Sequence, residues 1–287
     1  MPVKNRISSP AEVDAAYAAA QVVVECHRRI ATFLKAGLTL AQIDKFVGDQ
    51  IADQHAKSCF LGYSPRRSRL PPFPSHACLS LNECVVHGWH GYVQRPMQEG
   101  DVLKIDIGVT HKGWIGDAGW TYVFGQPSKQ IAKLMEAGKE SLRRGIKQLV
   151  PSKTYLAWAR EVQTCVENEY GFHLVKTMGG HGLIDGNKPW LHGPPYISNV
   201  VPAKTSDWPE SQELCEPGTL IAVEPMLAIG TGELADKPSR LLPYERWPEY
   251  IADGSMSVHY EHDVLITEKG NRVLTEGMDE LPDVILR

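Results

Sequence analysis

The chain lacks the marks of several protein classes. No apolar run approaches the ~20 residues needed to cross a bilayer. The opening MPVKNRISSPAEVDAAYAAA has no uninterrupted apolar core of a secretory signal, so no membrane association is expected. Basic charge is not in excess. Thirty Lys and Arg stand against 34 Asp and Glu, and the net charge of −4 argues against DNA or RNA as the main ligand. The six cysteines, at positions 26, 59, 78, 84, 165 and 215, form no CxxC pair and no regular framework, which fits a reducing, cytoplasmic setting. What remains is an ordinary globular composition in 287 residues, enough for one large domain or two ordinary ones.

Two halves of similar plan follow a short arm at 1–10. Ser9-Pro10 suits a cap and first helical position, and apolar residues recur at helical spacing from Ala11 to Lys35, with Gly37 as the stop. Thr39 caps a second helix over roughly 40–54. HACLSLNECVVH (76–87) reads as two short strands around Asn82-Glu83. In the second half, 127–149 and 153–169 read as helices broken at Val150-Pro151-Ser152, and strand-like segments follow at 172–177, 219–228 and 257–268. The match of LKAGLTLAQIDKFV with LVPSKTYLAWAREV is one of pattern rather than identity: helix, break, cap, helix. The expectation is an α+β fold, a duplicated αα-plus-antiparallel-sheet unit with pseudo-two-fold halves near 11–125 and 127–275 and a site between them, all within one domain, 11–287.

The stretch VLKIDIGVTHKGWIGDAGWTYVF (102–124) carries the most chemistry. Two β-rich runs flank His111-Lys112-Gly113, which predicts a hairpin. With the loop centred on Lys112-Gly113, Asp117 falls opposite Gly108 and Asp106 lies diagonally adjacent on the same face. Two carboxylates on one buried face repel unless a proton or cation lies between them; on an exposed face they would need neither. Further polar residues stand in apolar segments: His87 in VVHGW, His181 in MGGHGLI, Glu224 in LIAVEPM and Glu261 in VHYEHDVLI. The glycines around His181 allow close backbone approach and are expected to leave its imidazole exposed. Each has a bland explanation alone. Together they supply four acids and one or two imidazoles that need one another and a cation.

The ordered set Asp106, Asp117, His181, Glu224, Glu261 resembles the five metal ligands of the pita-bread metallopeptidases. FLGY, CLSLNECVVHG, KIDIGV, GDAGWTYVFG, EPM and YEHDVLIT, in order over nearly the whole chain, are similar to the type I methionine aminopeptidases of that superfamily. The resemblance implies removal of N-terminal methionine from peptides and nascent chains, preferably before a small residue. It also implies a monomer, and insertions relative to that family at the mouth of the site are placed to restrict substrates or to contact the ribosome transiently. Xaa-Pro aminopeptidases and dipeptidases share these ligands but usually carry a large extra N-terminal domain, for which a first ligand at 106 leaves no room. A metal-free binding homologue would be missing ligands, and all five are present.

By the same resemblance Asp117 and Glu261 bridge two divalent ions, Asp106 completes one shell, and His181 with Glu224 the other. Such an oxygen-rich set suits Mn, Fe or Co and accepts Zn. Glu224 shuttles the proton of an activated water to the leaving amine, His87 meets the substrate's peptide nitrogen, and a second histidine holds the tetrahedral intermediate. That second histidine usually follows the first by seven residues. Position 188 is Lys, and the match is His192, after an insertion around 184–191; the acid that usually follows it is replaced by Gly193. Tyr63, Phe73, Cys78 and Trp247 match the apolar, sulfur-lined methionine pocket, with Phe60 at the usual cysteine position and Cys59 beside it. Two further insertions, 64–72 and 227–246, are expected as solvated loops.

Overall fold

A computed structural model describes residues 5–65, 68, 70–186, 188–238 and 242–287, so parts of the arm and of all three insertions lie outside the described residues. Helix α1 (Pro10–Phe33) starts where Ser9 accepts the backbone N–H of Glu12, with proline in the first turn. Its face of Ala16, Ala19 and Ala20 is fully buried. Thr39 and Gln42 form a reciprocal capping box for α2 (Leu40–Asp53).

Strands β1 (Cys78–Leu81), β2 (Val102–His111) and β3 (Trp114–Phe124) follow. Lys112 and Gly113 both have left-handed backbone, with φ of 51° and 81°, the requirement of a two-residue hairpin turn that twists with its strands. That turn sets the β2–β3 register, in which Gly108 lies opposite Asp117 and Asp106 opposite Gly119. β1 pairs with the outer edge of β2, where Cys78 faces Asp106, and α1 packs over β2 and β3.

The second half opens with α3 (Lys129–Ile146), capped by Ser128, and α4 (Tyr155–Gln163). α4 runs on as a widened π-helical turn, Thr164–Tyr170, and stops at left-handed Gly171. The second sheet contains β4 (Gly179–Asp185), β5 (Lys188–Ser198), β6 (Leu220–Val223), β9 (His262–Thr267) and β10 (Gly270–Val273), in the order β10-β9-β6-β4-β5. β7 (Met226–Ala228) and β8 (Ser257–His259) pair beside it together with His173–Leu174.

Four expectations need correction. The strand expected over 172–177 is reduced to His173–Leu174, and those over 219–228 and 257–268 are each interrupted. The described residues of 184–191 lie in the β4–β5 hairpin. The halves are also not closed at 275, because Val284–Ile285 returns to pair with β3 in the first sheet.

Candidate metal centre

The two interruptions sit side by side. Val223 pairs with His262 before the gap and Met226 with His259 after it, in one continuous register, so Glu224 lies opposite Glu261. Pro225 has no N–H to give to the ladder, which explains why pairing lapses there. The alternation of the pleat then puts His181, paired with Ala222, on the same face as Glu224. β4 reaches that position because Gly180 and Gly182 have no side chain. A Cβ on either would stand 2.2 Å from the Ala222 carbonyl oxygen or 1.9 Å from that of Pro194.

The five residues expected as ligands converge between the sheets. Asp117, His181 and Glu261 offer donor atoms within 4.8 Å of one another, and Asp106, His259 and Glu261 form a second such group. His181 Nε2 is 3.8 Å from Asp117 Oδ2 and 3.7 Å from Glu224 Oε1, and its Nδ1 lies 3.2 Å from the Gly182 carbonyl oxygen. An Nδ1–H donated to that carbonyl leaves the Nε2 lone pair facing the acids. Contrary to the sequence expectation, His181 is buried, because β4 runs between β5 and β6 rather than along an edge.

Burial raises the carboxyls of Asp106, Asp117, Glu224, Glu261 and Asp263 well above the usual carboxylate range, and their mutual repulsion adds to it. One oxygen on each of Asp106, Asp117 and Asp263 is buried without a hydrogen-bond partner. Orphaned oxygens, clustered acids and a buried imidazole fit a divalent cation, which replaces the protons such a cluster would otherwise hold.

The centre opens into a cleft of about 540 Å³ that is also lined by His87, His192 and Glu210. Beside Asp106 a narrower cavity of about 40 Å³ is walled by Phe60, Tyr63, Phe73, Cys78 and Trp247. Phe60, not Cys59, forms this wall; Cys59 packs behind it against Gly108. Phe73 meets Trp247 edge-on at 5.1 Å, and the Trp247 indole donates to the Pro71 carbonyl at 3.0 Å. Burial, with Asp106 and Asp117 nearby, pushes the Cys78 thiol well up, so it stays an apolar thiol. Burial also pushes His87 down to about 3. Enclosure moves His192 in the same direction, although it keeps accessible surface toward the cleft. The Tyr63 hydroxyl and His192 Nδ1 are 2.6 Å apart.

Three neighbours of the centre escaped the sequence reading. His259 is buried with Nε2 3.4 Å from Glu224 Oε2. Asp263 accepts the Asp117 backbone N–H at 2.9 Å, and Asn199 donates to the Glu224 carbonyl at 3.0 Å. The first two had a readable signal: 259, 261 and 263 alternate in one strand-like run and share a face. Asn199 had none.

These features define a metallopeptidase, and comparison with known proteins gives the same class. Residues 14–268 match metallopeptidase family M24, and the chain belongs to that family. It is 33% identical to a methionine aminopeptidase of Aquifex aeolicus over 93% of this chain and 97% of that one. The solved methionine aminopeptidase of Thermotoga maritima superposes with a TM-score of 0.80 at 28% identity, covering 94% of this chain and 98% of that one. The X-Pro aminopeptidase of Thermotoga maritima shares the pita-bread fold, with a TM-score of 0.68 at 18% identity, but only 64% of its length is covered.

Proposed function

We propose that this protein is a metal-dependent aminopeptidase that removes N-terminal methionine from peptides and nascent chains, preferably ahead of a small second residue. The observation that carries the reading is a buried carboxylate–imidazole centre opening beside a narrow cavity walled by aromatic rings and one thiol. An unbranched, polarisable thioether suits such a cavity. An Xaa-Pro peptidase is less well supported, because the sequence similarity is to methionine aminopeptidases, at 33% identity over 93% of this chain.

Asp106, Asp117, His181, Glu224 and Glu261 would hold two divalent ions, with Mn, Fe, Co and Zn all compatible with the donors. Such ions, when bound, supply Lewis-acid polarisation of the scissile carbonyl and a water acidic enough to attack near neutral pH. Glu224, which lines the cleft, is suited to take a proton from the attacking water and give it to the departing amine. His87 stays a neutral imidazole and can bond the peptide nitrogen. A Tyr63 hydroxyl donating to His192 Nδ1 fixes the proton on Nε2, a donor for the developing oxyanion. Tyr63 thus takes over the orienting task for which Gly193 has no side chain.

A single catalytic domain, 11–287, goes with this reading. So do a monomer that meets the ribosome transiently and a cytoplasmic setting, in keeping with six unpaired cysteines. Among the described residues no helix is long and apolar enough to cross a membrane. The test is turnover of a Met-Ala-Ser peptide against an Ala-Pro peptide. Faster release of proline-linked residues than of methionine would favour the Xaa-Pro reading.

A further inference from the structure

His259 has no role in the ligand set taken from the family resemblance, yet it is aimed into the centre. Its side chain is 2% exposed, and its Nε2 is buried without a hydrogen-bond partner. The backbone fixes its position. Thr121 Oγ1 donates to the His259 carbonyl at 2.7 Å and accepts the His259 N–H at 3.0 Å. Gly119 leaves the ring its space, since a Cβ there would stand 3.0 Å from the imidazole.

The distances around this nitrogen are informative. His259 Nε2 lies 3.4 Å from Glu224 Oε2 and 3.7 Å from Glu261 Oε2. His181 Nε2 stands at nearly the same separations, 3.7 and 3.8 Å, from Glu224 and Asp117. All four exceed the ordinary hydrogen-bond range. Donors each about 2.1 Å from a shared ion stand about 3–3.5 Å apart, a few tenths of an ångström inside these values. His259 Nε2 is therefore spaced from Glu261, and His181 Nε2 from Asp117 and Glu224, as co-ligands are, and each imidazole belongs to one of the two donor groups that share Glu261.

We propose that His259 is a sixth ligand of the centre, giving the Asp106 side its own nitrogen donor, as His181 does for the other side. The proposal rests on the metal-centre reading above. It makes each ion's shell mixed nitrogen and oxygen, which shifts preference toward the later, borderline ions such as Co and Zn over Mn.

The test uses the full-length chain loaded with two equivalents of Co²⁺. Proton NMR then counts the ligand imidazoles by their far-shifted, solvent-exchangeable N–H signals. The wild type should show two such signals. H259Q should lose one and keep the other, and H181N should do the reverse. In calorimetric titrations with Co²⁺, H259Q should bind one of the two ions roughly 10- to 100-fold more weakly, the scale of losing a supporting contact or more. A wild type with one shifted imidazole signal, unchanged in H259Q, would overturn the assignment while leaving the five-ligand centre standing. A wild type that binds no Co²⁺ and shows no shifted signal would overturn both.

Discussion

Replacing Tyr63 with Phe removes the hydroxyl that meets His192 in the centre. The ring that walls the narrow cavity stays, and the hydroxyl 2.6 Å from His192 Nδ1 is lost. The two rings meet edge-on at 5.0 Å, an arrangement that the phenyl group can keep. A hydrogen bond of this kind is worth about 0.5–1.5 kcal/mol net, or roughly a 2- to 12-fold effect. Its absence frees the imidazole to place its proton on either nitrogen, so kcat should fall by that factor while KM barely changes. H192A removes the oxyanion donor altogether and should cost roughly 10²- to 10³-fold in kcat. The double variant discriminates. If Tyr63 acts through His192, Y63F adds nothing to H192A, a coupling that a double-mutant cycle in steady-state kinetics reads directly. A full, independent loss from Y63F on the H192A background would refute the reasoning and make Tyr63 a substrate-binding group in its own right.

Other outcomes follow from the same geometry. D117A removes a carboxylate at the junction of both sheets and should abolish turnover while circular dichroism still reports a folded chain; retained turnover would contradict the assigned role. Lys104 is fully buried, with its ammonium bonded to the Asn82 carbonyl oxygen at 2.6 Å, and burial pushes it down to about 7. An unfolded lysine holds its proton to about 10.4, so between these values the unfolded chain binds more protons and stability rises with pH. Below about 7 the full cost of burying the charge applies, up to about 5 kcal/mol at 1.36 kcal/mol per pKa unit. K104M should therefore be stabilising relative to wild type at pH 6.5, and the advantage should shrink by pH 9.5 in urea titrations. An equal difference at both pH values would show that the charge is not the cause.

Much of this centre is written locally. The Lys112-Gly113 turn and the two-residue alternation of its arms suffice to place Asp117 opposite Gly108, and the helices are marked by Ser9, Thr39 and Ser128 at their starts. The β4–β5 hairpin is not legible in this way. Its strands carry Gly179, Gly180, Gly182, Gly193, Pro189, Pro194 and Pro195, residues that ordinarily argue against a strand, and its pairing tolerates them only through register shifts. His181 reads as exposed for the same reason: glycines around a histidine suggest a loop, whereas here they admit neighbouring backbones on both sides. His259 and Asp263 share the alternation of Glu261, but the family pattern at this strand is already satisfied by the single acid. The partner of His192 lies 129 residues away in sequence, and only the fold brings Tyr63 to it.

The most direct test of the central claim is release of free methionine from Met-Ala-Ser by protein stripped of metal and then restored with Mn²⁺, Fe²⁺, Co²⁺ or Zn²⁺. The stripped protein should release none, and at least one of these ions should restore release. Full activity without metal, or none with any of the four, would contradict that claim.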